Sequence, residues 1–242
     1  MFTETTNLRE AIQNYPFVEM AIARYNPTTQ NLNCTVSLFC DHHDIDAAFF
    51  IQLMDAFADV KNNFHPKNFE AFSIPLILDY LQKTHSFYLN KRLLEIEQSI
   101  SNLAQIFHPS HALIKVLIDF FKQYENDLIN HIEDEEIHLF PYISDLYKVY
   151  YEGGASAIGE LNDSTYRLDV FETHHDDEIE RQISLVSQII MHYDPELQNS
   201  LNFKILLTQL QAFEDDLHIH GLLEDHVLIP KARKLEQAFF NY

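Results

Sequence analysis

The chain has 242 residues, with 37 Asp and Glu against 16 Lys and Arg, a formal net charge of -21 and 46% apolar residues. The apolar share supports a real core and argues against disorder despite the charge, and a surface this negative repels phosphates, so broad nucleic-acid contact is not expected. Only 4 Gly, against a usual share of roughly 7%, argue against sandwiches, doubly wound sheets and phosphate-cradling loops, which need Gly at tight turns. Two Cys with no C-x-x-C pair make no disulfide scaffold, and the compositional anomaly is 14 His.

Met1-Phe2-Thr3-Glu4 is not a basic region followed by an apolar run, so no signal peptide is expected. No stretch reaches the roughly eighteen uninterrupted apolar residues of a membrane span. The simplest expectation is a soluble, all-α protein of a cytoplasmic, reducing compartment. Short helices are predicted over Leu8 to Asn14, from Pro16 to near Tyr25, and from a cap at Asp44 or Asp46 to about Val60. Ile45, Phe49, Leu53 and Phe57 form a four-residue apolar row in the last of these. The polar, breaker-rich run from Lys61 to Asn68 reads as a linker after an N-terminal domain of residues 1–62.

Longer helices follow, over about Pro75 to Phe107, Ala112 to Leu139 with a continuation to Tyr151, Tyr166 to His192, and Ser200 to Asp225 with a short terminal helix beyond Pro230. Pro109, Pro141 and Pro195 mark ends, and three of the four Gly fall in Gly153 to Gly159, the one extended connection. Four long helices with short first and last turns make an antiparallel four-helix bundle over residues 74–242.

Two segments of this region match. His131 to Pro141 and His220 to Pro230 both read H-x3-E-x3-L-x-P, pairing His131 with Glu135 and His220 with Glu224. An i,i+4 spacing puts imidazole and carboxylate on one helical face. Spacing alone is weak, since His42–Asp46, His174–Glu178 and His192–Glu196 share it. The surroundings separate them. Leu113, Leu117, Phe120, Tyr124 and Leu128 run into His131 and Glu135, and Leu206, Leu210, Phe213 and Leu217 run into His220, Glu224 and Leu228. Both pairs therefore point inward, where an unpaired carboxylate is costly and a metal ion is the economical partner.

The other two helices carry His85, on the Leu78, Leu81 and Tyr88 face, and His175, on the Leu168, Phe171, Ile179, Ile183 and Val186 face. His85 to His131 is 46 residues and His175 to His220 is 45, so each helical hairpin repeats an inward His followed by an inward H-x3-E. This is the pattern of a duplication with a dinuclear carboxylate-bridged site at its centre. His174 either supports the ligands or is exposed, His138 is a candidate for a supporting role near them, and His42, His43, His65, His192, His218 and His226 are read as surface residues.

Asn130-His131-Ile132-Glu133-Asp134-Glu135-Glu136 through Leu139-Phe140-Pro141, the His220 to Pro230 copy, Thr173-His174-His175-Asp176 and Thr84-His85-Ser86-Phe87-Tyr88-Leu89 together resemble the hemerythrin-like bundle of the RIC family, di-iron proteins that repair iron–sulfur clusters under nitrosative and oxidative stress. Residues 1–62, with Leu8-Arg9-Glu10-Ala11-Ile12, Tyr25, Ser37-Leu38 and Cys40, resemble the family's small helical ScdA-like domain. The adjacent Cys pair of that domain is absent, with Thr28-Thr29-Gln30 in its place and Cys34 and Cys40 as the nearest thiols. The resemblance implies a further ligand histidine near the end of the first long helix, which His108 fits best and His111 second.

The resemblance thus implies metal ligands His85, His108, His131, Glu135, His175, His220 and Glu224. With both carboxylates bridging they make nine bonds, leaving about three of the twelve positions of two octahedral ions for an oxo or hydroxo bridge and one open place. Without thiolates, this nitrogen and oxygen set suits two non-haem iron ions, with manganese or zinc as alternatives. Repair of damaged iron–sulfur proteins, by supplying iron or handling nitric oxide, is what the family implies. The rival reading is a hemerythrin-like carrier or sensor of oxygen or nitric oxide. No membrane or nucleic-acid partner is expected, and the spacing leaves open whether the protein is an enzyme and what its oligomeric state is.

Overall fold

The structure, a computed structural model, describes residues 1–25, 32–107, 112–153, 161, 167–169, 182–183 and 200–240. It is an all-α helical bundle fold with no strand among the described residues. None of the described helices is long and apolar enough to cross a membrane. Contacts divide the chain into two compact units, Met1–Thr84 with His218–Tyr242, and His85–Leu217.

The first unit opens with α1 (Leu8–Asn14), capped by the Asn7 side chain, which accepts from the Glu10 N–H at 3.2 Å, and α2 (Val18–Ala23). A helix that patterning missed, α3 (Val36–His43), follows: Thr35 caps its start and Asp44, at φ 54°, ends it in the left-handed region. Its eight residues carry too short an apolar row to stand out, so caps rather than periodicity define it. Asp46 caps α4 (Ala47–Ala58), accepting from the Phe49 N–H at 2.8 Å. Phe49, Leu53 and Phe57 of the expected row are fully buried. Pro66–Phe69 forms a 3-10 turn that sends Phe69 into the core, where Phe69 and Phe72 meet Phe49 edge-on.

Ile74–Phe87 forms α5, and Arg24 from beyond α2 packs against it. Its buried guanidinium lies over the Phe57 and Tyr80 rings and donates to Thr84 Oγ1 at 3.1 Å. Cation–π contact compensates part of the cost of burying that charge. Cys40 is buried and its thiol is pushed up to about 12 by burial, while half-buried Cys34 is raised for the same reason. A thiol held protonated is a poor nucleophile and metal ligand.

The second unit begins at His85 near the end of α5 and continues through a π turn, Tyr88–Arg92, into α6 (Leu93–Phe107). The helix α7 (Ala112–Asp134) packs on α6, then widens into a π turn at Glu135–Leu139 before α8 (Phe140–Tyr147). A third π turn, Lys148–Glu152, ends at Gly153, whose φ of 68° favours glycine. Tyr88, Tyr124 and Phe213 form an aromatic core, with Phe213 centred 5.1 Å from Tyr88 and 6.2 Å from Tyr124. Leu201–Leu223 forms α9, followed by a π turn at Glu224–Leu228 and α10 (Ile229–Phe240).

The two π turns that begin at Glu135 and Glu224 have a common cause in sequence. Each lies just before a proline, Pro141 or Pro230, six residues after its glutamate. A helical proline cannot donate to the carbonyl four residues back and crowds it, and one widened turn relieves both problems without ending the helix.

Candidate metal centre

The second unit assembles four of its polar side chains from two helices. Leu78 and Leu81 on α5 are buried, as is His85 one turn further on, with 2% of its surface exposed. On α7, Leu113, Leu117, Tyr124 and Leu128 are buried as the row requires; Phe121 is buried in place of half-exposed Phe120. Glu135 is fully buried at the end of that row, and His131 is half-buried.

Glu135 lies between two imidazoles. Its Oε2 is 3.0 Å from His85 Nε2, and its Oε1 is 2.9 Å from His131 Nε2. Two ligands placed about 2.1 Å from one ion at a right angle stand about 3 Å apart, so this spacing accommodates an ion beside each imidazole. The other ring nitrogen of His85, Nδ1, lies 2.8 Å from Glu136 Oε1. The ring stacks on Phe140 at 5.3 Å with 4° between planes, which fixes its tilt. Burial by itself lowers the pKa of His85, but the bonds to Glu135 and Glu136 outweigh it and raise the pKa to about 9.

The first unit holds the second His–Glu pair. All of Leu206, Leu210, Phe213 and Leu217 along α9 are buried, and so are His220 and Glu224. His220 Nε2 and Glu224 Oε2 are 3.6 Å apart, wider than the first pair. His85 with Glu135 in the second unit, and His220 with Glu224 in the first, are each buried histidine–carboxylate donors of the kind that could hold a metal ion. The donor set fits such an ion: imidazoles and carboxylates removed from water, where an anionic carboxylate requires a cation.

Of the remaining expected ligands, His108 and His175 lie outside the described residues, as do His111 and His174. His138 does not support the site; it is exposed and pairs with exposed Asp134 at 3.0 Å. His43 is not a plain surface residue, since its half-buried ring packs 4.4 Å from Phe39 and 6.0 Å from Tyr25. Two acids lie outside the H-x3-E pattern, Glu136 and Asp216. Glu136 escaped because it follows the pattern residue Glu135 and belongs to another helical face. Asp216 is fully buried one turn before His220, extending the second copy to D-x3-H-x3-E, and Asp127 stands at the same place before His131. That longer repeat was present in the sequence as a signal.

Comparison with known proteins agrees with the chemistry. The iron–sulfur cluster repair protein ScdA of Staphylococcus haemolyticus is 21% identical over 166 residues, 68% of this chain and 69% of that protein. ScdA of Staphylococcus epidermidis is 22% identical over 159 residues, 66% of each chain. This chain is thus similar, at low identity, to proteins named for iron–sulfur cluster repair. The RIC relationship that the two histidine segments suggested is thereby supported, across about two thirds of the length of the relatives. No family model matches the chain.

Proposed function

We propose that this protein is a di-iron member of the repair family, restoring iron–sulfur clusters damaged by nitrosative or oxidative stress. The observation that carries the reading is Glu135, buried with a histidine nitrogen about 3 Å from each carboxylate oxygen. The relationship to proteins named for iron–sulfur cluster repair gives that site its purpose. In this proposal residues 74–242 are the metal-binding bundle and residues 1–62 a small helical domain without the paired cysteines. The protein acts in the cytoplasm on damaged iron–sulfur proteins.

His85, His108, His131, Glu135, His175, His220 and Glu224 would be the metal ligands, a seven-residue set. Bound iron supplies redox-capable positions for nitric oxide or oxygen, or serves as the ion delivered to a damaged cluster. The chain's own residues do the rest. Glu135 and Glu224 present carboxylates in apolar surroundings, where their charge favours cations over water. Glu135 has no exposed surface, and exclusion of water strengthens its electrostatic hold.

The test is iron-reconstituted protein incubated with a dehydratase whose cluster has been inactivated by nitric oxide. Recovery of dehydratase activity, above that given by the same amount of free ferrous iron, is the expected result. Iron loading and nitric oxide binding without recovery would replace the repair reading by the carrier or sensor one.

A further inference from the structure

The contact between His85 and Glu136 joins residues 51 apart in the chain and belongs to neither H-x3-E pair. His85 faces a carboxylate from each ring nitrogen: Glu135 at Nε2 and Glu136 at Nδ1. A neutral imidazole has one N–H and one lone pair, whereas both carboxylates are acceptors. A single proton therefore satisfies one side, and the other takes either a second proton or a metal ion between nitrogen and oxygen.

Burial decides which side takes which. The Glu136 side chain is 30% exposed and the Glu135 side chain 1%. Water already shares the charge of Glu136, so a neutral N–H donor is a sufficient partner. Glu135 has no such access and its charge requires a cation. We propose that Glu136 is a positioning residue for His85, accepting the Nδ1 proton so that the Nε2 lone pair is held toward Glu135 and a shared metal ion. Phe140 fixes the plane of the ring, and Glu136 fixes its rotation within that plane and its tautomer. A histidine bonded in this way is also a more basic metal ligand. Asp225 follows Glu224 at the corresponding place in the second copy.

This inference rests on the metal reading above, and the experiment separates the two. Zinc affinity is measured by chelator competition for the full-length wild type, Glu136→Ala and Glu136→Gln, with Glu133→Ala, an exposed acid on the same turn, as control. In parallel, nitrogen-15 histidine spectra of the zinc-loaded proteins report which nitrogen of His85 carries the proton. Glu136→Ala is expected to bind zinc at least about tenfold more weakly, and its Nδ1 proton should exchange faster. Glu136→Gln keeps an acceptor oxygen and should restore the Nδ1 proton signal with part of the affinity. Glu133→Ala should match the wild type in both. Zinc uptake with equal affinity and an unchanged His85 signal in Glu136→Ala overturns the positioning role alone. Failure of the wild type to bind zinc or iron overturns the metal reading and this inference with it.

Discussion

The two H-x3-E copies share a pattern but not an environment. In the first, His131 and Glu135 are 2.9 Å apart and the histidine side chain is 24% exposed; in the second, His220 and Glu224 are 3.6 Å apart and the histidine is 9% exposed. The acid one turn earlier differs in the same sense. Asp127 is half-buried and accepts from Gln123 Nε2 at 2.8 Å, whereas Asp216 is fully buried. The glutamate is the constant element, about 1% exposed in both. Burial is kept at the glutamate of both copies, while the histidine and aspartate vary with local packing.

That comparison is most directly broken by removing each glutamate in turn. Glu135→Ala and Glu224→Ala should each lose at least one of two metal ions per chain, and repair activity with it, as elemental analysis and the iron absorption bands would record. Full metal loading in either variant would falsify an equal bridging role for the two copies. A smaller effect follows from withholding metal. Metal-free protein keeps two carboxylates in apolar surroundings, so chelation should lower the melting temperature by about 5 °C or more, at roughly 2–4 °C per kcal/mol for a chain of this size. Equal melting temperatures with and without metal would mean that water reaches both glutamates.

The pH dependence of the metal-free protein sharpens the contrast further. His85 in the fold has its pKa raised to about 9 from an ordinary value of 6.5. A raised histidine binds its proton more tightly when folded, so its stabilising contribution is fully present below pH 6.5 and is lost as pH rises through about 9. Urea melts of metal-free protein from pH 6 to 10 should show that decline, and His85→Gln should flatten it. The smallest effect is reserved for a pair with the same spacing and no site. Asp46→Ala removes the cap of α4 and should cost about 1 kcal/mol of stability. Its metal content should stay at the wild-type level; a loss would mean that spacing rather than burial selects the ligands.

Much of this was legible in the residues. Along α9 the apolar row and the inward His220 and Glu224 follow from one period, because i,i+4 neighbours share a face whatever lies opposite. The same rule located Glu135, whereas Pro141, read as a helix end, instead follows a widened turn through which the helix continues. It failed at α3, where caps outweigh an eight-residue pattern, and at His43, whose shelter comes from Tyr25 and Phe39.

Composition and periodicity determined that this protein is helical and acidic, with two histidine–glutamate pairs turned from solvent, because these are properties of single helices. Only the tertiary structure decided that Glu135 meets His85 and that Glu136 reaches back to the same histidine. Those contacts join α5 to residues about fifty positions later, and their geometry depends on how the helices are packed and where a π turn shifts the register. No local spacing encodes that distance, so the pairing of an imidazole with two consecutive carboxylates is set by the fold.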